Sequence, residues 1–152
     1  MATKDQIIIE LNDLNHVIAS YPVDSKQYQN ASDKLSRLLL DAVNIRDVSF
    51  IVKALGRKLS DDELANLIIA GRNGQPLNES VTLPAEADAA YTLRIERQKR
   101  HLTQQELASK IGITQGQLAK IENGQQNANL NLLQRAMSVF GEPYIVKPIP
   151  QS

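Results

Sequence analysis

The feature that most constrains this chain is a pair of helix starts eleven residues apart with a glycine between them. Thr103 is followed three residues later by Glu106, and Thr114 by Gln117. In each pair the hydroxyl can accept the backbone N–H of the third residue, whose side chain reaches back to the cap. Leu107, Ala108 and Ile111 then fall on one helical face. Gly112 stands where a left-handed residue ends a helix at least cost, and Ile113 is an apolar plug in a turn of a few residues. Leu118 and Ile121 are the inward face of the second helix, which ends at Asn123-Gly124.

Two short capped helices joined by a tight glycine turn are the signature of a helix-turn-helix. With Leu118 and Ile121 inward, the opposite face displays Gln115, Gly116, Gln117 and Lys120. A glutamine can pair bidentately with adenine N6 and N7, and a lysine can donate to guanine or to phosphate. Gly116 leaves room for close approach to a groove. Gln104 opens the preceding helix, where unpaired N–H groups and the positive end of the dipole favour a phosphate. Arg94, Lys99, Arg100 and Lys110 are available for sequence-independent attraction to a polyanion. For Lys99-Arg100 the plainer alternative is a pair of charges complementing a helix C-terminus.

Ahead of this segment the sequence reads as a helical bundle. Ile7, Leu11, Leu14 and Ile18 fall on one face of a helix over residues 3–20, which Tyr21-Pro22 ends because the residue before proline avoids helical dihedrals. A second helix is expected from Asp24 or Ser25, a third through Val48, Ile51, Val52 and Leu55 to Gly56. A fourth opens with the capping box Ser60…Glu63 and ends at Gly71. The stretch from Gly71 to Pro84 holds two prolines and loses periodicity, so it reads as a linker. Residues 59–65 and 102–108 share a seven-residue pattern, which any capped amphipathic helix of this kind would show.

Charge sharpens the division. The formal net charge is zero, which taken alone argues against a nucleic-acid partner. Residues 1–89, however, carry 9 basic and 13 acidic side chains, and residues 90–152 carry 8 and 4. Such asymmetry suggests two modules with different partners. The absence of cysteine excludes disulfides, thiolate metal sites and a cysteine nucleophile. His16 and His101 lack ligand-like spacing, so neither a metal nor a cofactor is expected. The first residues do not have the order of a signal peptide, and no apolar run approaches the roughly 20 residues of a membrane span. The expectation is a cytoplasmic protein without a membrane partner. Catalysis is not expected: no nucleophile–base arrangement or phosphate-binding glycine loop occurs, and Asp61-Asp62 is explained by helix capping and the dipole.

The run from Leu102 to Gly124 resembles the helix-turn-helix of Cro/C1-type (XRE family) transcriptional regulators. It matches at Leu102, Gln104, Leu107, Ala108, Gly112, Ile113, Gln115, Leu118, Ile121, Glu122 and Gly124. The resemblance implies a domain from about residue 90 to 141, with Leu130, Leu132, Leu133, Ala136, Val139 and Phe140 on its last helices. It implies that Gln104 and Asn123 touch phosphate and that Gln115, Gln117 and Lys120 face base edges. It further implies a structural ion pair between Arg97 and Glu122 that does not itself read DNA. Glu96 departs from the small or apolar residue usual at that position, and the loop Gln125–Asn129 is less basic than in many relatives.

Tyr144–Pro150 reads as a short strand whose unpaired edge would pair with its own copy across a two-fold axis, or lie on its own domain. A helix-turn-helix followed by such a strand also resembles antitoxins of host-inhibition-of-growth type. The expected fold is therefore all-α with that one strand. It comprises an N-terminal helical domain over 1–72, a linker over 73–88, and a five-helix Cro/C1-type domain over 89–152. The expected function is a sequence-specific DNA-binding transcriptional regulator, a dimeric repressor on a palindromic operator. The alternative is a type II antitoxin whose acidic N-terminal half masks a basic toxin.

Overall fold

The computed structural model describes residues 2–141. Among them are eight α-helices, one turn of 3-10 helix and no strand. In chain order these are α1 (Lys4–Ser20), α2 (Lys26–Leu40), α3 (Ile45–Leu55), α4 (Asp61–Arg72), the 3-10 turn (Leu77–Glu79), α5 (Ala85–Lys99), α6 (Gln104–Ile111), α7 (Gln115–Glu122) and α8 (Leu130–Phe140). The strand expected over 144–150 lies outside the described residues. The chain divides into two compact units between Val81 and Thr82.

In the first unit each helix start carries its own local signal. The Thr3 hydroxyl accepts the Gln6 N–H at 3.2 Å, and the Gln6 side chain accepts from the Thr3 N–H at 2.8 Å. Ser60 and Glu63 repeat this reciprocal arrangement at α4, while Ser25 and Asn44 cap α2 and α3 by accepting the N–H groups of Tyr28 and Arg46, each cap being worth about 1 kcal/mol. Helices α1, α2 and α4 pack on one another. Ile7 and Leu11 of α1 and Ala65 and Ile68 of α4 form the centre, with Leu35, Leu38 and Leu39 of α2 against them. Lys4 pairs with Asp62 at 2.8 Å and the Asn15 amide donates to Asp61 at 3.2 Å, so the acidic first turn of α4 also ties it to α1. Arg57 donates to both oxygens of Glu63, at 2.7 and 3.0 Å. That guanidinium, followed by the Ser60 backbone N–H, holds the Glu63 carboxyl down to about 2.

The expected stop at Gly71 is corrected: α4 runs on to Arg72, and Gly71 is a packing residue within it. A Cβ there would collide with the Ala42 carbonyl oxygen and stand 2.6 Å from Val43 Cγ1. Glycine lets α4 approach the turn between α2 and α3.

The second unit contains α5 to α8 around Leu93, Leu107, Ala108, Ile111, Leu118, Ile121, Leu132, Ala136, Met137 and Phe140. Two expectations are revised. The linker over 73–88 is more structured than an open loop, since Leu77, Val81 and Leu83 are buried and α5 starts at Ala85, inside the expected linker. Its cap position is Pro84, which offers no side-chain acceptor, so no capping signal marks this start. The second revision concerns helix number. Residues 85–140 hold four helices, because Asn129 caps a single helix through Phe140.

Candidate nucleic-acid interface

Helices α6 and α7 are built as their sequences dictate. Thr103 accepts the Glu106 N–H at 3.0 Å and Thr114 accepts the Gln117 N–H at 3.1 Å. In return Glu106 and Gln117 accept from the two cap N–H groups. Gly112 ends α6 with φ +78°, the left-handed conformation in which glycine avoids the Cβ clash. Leu107, Ala108, Ile111, Leu118 and Ile121 are buried, so the opposite faces are free to meet another molecule.

On that outward side Gln115, Gly116, Gln117, Lys120 and Asn123 are exposed. Gly116 has only Thr114 Oγ1, at 4.0 Å, near the position a Cβ would take. The fold itself therefore does not require glycine there. Gln117 has a second task, because its Oε1 accepts from the Thr114 N–H at 2.9 Å. Gln104 is half-buried and joined to other residues of the site. Its Nε2 donates to Glu122 Oε1 at 3.1 Å, and its Oε1 accepts from Gln115 Nε2 at 2.8 Å.

Behind these amides lies the ion pair. Glu122 is fully buried, and Arg97 donates to it from Nε at 2.8 Å and from Nη2 at 2.9 Å. The remaining Arg97 nitrogen, Nη1, donates to the Leu102 carbonyl at 2.8 Å. Breaking a buried pair by removing one partner typically costs about 3–5 kcal/mol, because the other charge is left without compensation. Arg97, Glu122, Gln104 and Gln115 thus form one continuous chain of hydrogen bonds from α5 to the exposed start of α7.

The basic side chains divide unevenly. Arg94 is buried, its guanidinium 5.3 Å from the centre of the Tyr91 ring, and is not presented to a polyanion. Arg100 donates to Glu96 and, at 2.9 Å, to the Phe140 carbonyl, lying over the Phe140 ring at 4.8 Å. The helix-end alternative fits Arg100 better than a phosphate role. Lys99 stands 3.4 Å from Glu96. These two cations explain why a carboxylate is accommodated at position 96. Burial there pushes the Glu96 carboxyl up, but the hydrogen bonds and charges of Arg100 and Lys99 outweigh it and lower it overall. Lys110 and Lys120 remain exposed.

Two residues escaped the sequence reading. Arg135 of α8 donates to the Ile111 carbonyl at 2.6 Å and so braces the turn from the far side; its partner lies 24 residues away, beyond any local signal. His101 has φ +56° between α5 and α6, and only its place just after a helix end hints at that.

The four helices described in the second unit, with a short glycine turn between α6 and α7 and an exposed polar start to α7, form a helix-turn-helix of the kind that binds DNA. A family model described as Helix-turn-helix matches residues 93–145, and over that stretch the chain is similar to the family. Among curated proteins and among solved structures nothing matches the chain. No helix among the described residues is long and apolar enough to cross a membrane. No cluster of three or more potential metal ligands occurs among them.

Proposed function

We propose that this protein is a sequence-specific transcriptional repressor that binds a palindromic operator as a homodimer and acts by occupancy, without catalysis. The observation that carries this reading is the exposed face of Gln115, Gly116, Gln117 and Lys120 at the start of α7, with Gln115 held by Gln104. α7 enters the major groove, Gln115 pairs with adenine, and Lys120 donates to a neighbouring guanine or phosphate. Gln104 and Asn123 hold the backbone on either side. Gln115→Ala is expected to weaken binding to the preferred site by about 1–3 kcal/mol and to relax one base position. Titration against the selected site and single-base variants checks this; equal loss on every sequence would remove the base-reading role. Mass measurement of the full chain with and without the selected duplex tests the dimer.

A second reading is an antitoxin. It draws on the first unit, which has its own core yet exposes Ile9, Val23 and Ile45, each at least 60% accessible. Such side chains suit a protein partner, here a basic toxin. Co-expression with the product of an adjacent reading frame tests it: growth rescued by the full chain supports the antitoxin, and toxicity unchanged by it rejects the idea.

A further inference from the structure

We infer that Gln117 reads DNA as a hydrogen-bond donor alone, selecting guanine against cytosine, because its helix-capping bond commits the side-chain oxygen to the protein. This rests on the DNA-binding reading above. A glutamine amide carries an acceptor and two donors, and its two ends are told apart by their partners. Here the partner is unambiguous, since the Thr114 backbone N–H can only donate. Gln117 Oε1 accepts it at 2.9 Å, while the Thr114 hydroxyl accepts the Gln117 N–H at 3.1 Å. These reciprocal bonds fold the side chain back onto the start of α7. The other end of the amide, Nε2, belongs to an exposed residue and makes no hydrogen bond among the described residues.

What is left to meet a base edge is a pair of N–H donors. In the major groove guanine offers two acceptors, O6 and N7, and thymine offers O4. Adenine sets its N6 donor beside N7, and cytosine presents only the N4 donor. Guanine is therefore the best match and cytosine the worst. Lys120, three residues on along the same face and also exposed, has donors and no acceptor. This edge of α7 thus shows one polarity at both positions. The other capping boxes of the chain demonstrate that the cap does not demand an amide. Glu63 and Glu106 perform the same duty at α4 and α6, and Gln6 does so at α1. A carboxylate at position 117 would serve the cap and also suit the positive end of the helix dipole. The amide differs from it in charge and in the group it turns outward.

The test uses the full chain and selection from a randomised duplex library. The base pair read by residue 117 is defined as the one whose preference Gln117→Ala abolishes. There the unaltered protein is expected to favour one orientation of a G·C pair over the other by about fivefold or more. Gln117→Glu keeps the cap acceptor and exchanges the outward donors for an acceptor. The favoured orientation should then reverse, because cytosine N4 donates to a carboxylate. The added negative charge weakens binding to every sequence by a common factor and leaves the ratio untouched. Retention of the original orientation in Gln117→Glu, or no base pair altered by Gln117→Ala, overturns the inference and leaves the DNA-binding reading standing. Absence of any base preference in the unaltered protein overturns that reading and the inference with it. A measurement without DNA isolates the capping step. Hydrogen exchange of the Thr114 backbone N–H should quicken in Gln117→Met and stay slow in Gln117→Glu; equal exchange in all three proteins shows that Oε1 is uncommitted and refutes the inference.

Discussion

Gly71 and Gly112 are both candidate helix stops in the sequence, yet they serve opposite ends. Gly112 does stop a helix, with φ +78° and Arg135 Nη1 3.4 Å from the place of a Cβ. Gly71 is helical, and its missing side chain makes room for the backbone at Ala42. Forcing a methyl group into such a contact costs about 1–3 kcal/mol, since one helix must shift. Gly71→Ala is therefore expected to lower stability by that amount despite raising helix propensity, as denaturant unfolding of the full chain would report. An unchanged or higher midpoint would mean that α4 is free to move away from the turn. No inspection of neighbours in sequence could separate the two glycines, because the deciding atoms of Ala42 lie 29 positions upstream.

Among the elements, α6 and α7 were the most legible, and the reason is physical. Thr103 and Thr114 mark their starts through bonds that span three residues, and Gly112 marks a stop through its own backbone angle. The same holds for α1, α2 and α4. The start of α5 was missed because Pro84 gives no side-chain cap. The roles of Arg94 and Arg135, and the helix whose end Arg100 meets, are not legible in the sequence because each depends on which other element lies opposite. Local bonds write themselves into sequence, whereas tertiary partners of long cations do not. The recognition element also permits a clean separation of stability from binding. Gly116 has open space around it, and replacing glycine by alanine within a helix gains up to about 1 kcal/mol. Gly116→Ala should keep or raise the unfolding midpoint while weakening DNA binding through the added methyl group. A variant that binds as tightly as the parent would show that α7 keeps its distance from the groove at this point.

At the scale of the whole molecule, the charge asymmetry is weaker than the sequence suggested. Divided between Val81 and Thr82, the chain carries 9 basic and 11 acidic side chains before the boundary and 8 and 6 after it. Glu86 and Asp88, counted with the acidic half on sequence, fall in α5. Within the described part of the second unit, Arg94, Arg97, Arg100 and Arg135 are buried or committed to protein partners, as Lys99 is to Glu96. Lys110 and Lys120 are left to approach phosphate. Each neutralised phosphate contributes about −0.9 to the slope of log K against log salt, so a slope of about −2 per protomer is expected from these two lysines. Equilibrium titrations on the selected duplex over a series of salt concentrations would measure it; a slope steeper than about −4 for a dimer would require cations beyond these.

The hydrogen-bonded chain from Glu122 to Gln115 also bears on how the specificity of such a domain can change by descent. Lys120 faces outward and can be exchanged one mutation at a time, with each new residue tried against a different base. Gln115 has less freedom, because a replacement takes away the donor that Gln104 Oε1 accepts from. New preferences should therefore accumulate first at position 120, while position 115 changes only together with 104. On the proposed reading, the vocabulary of sites would be mutable at one letter and conservative at another.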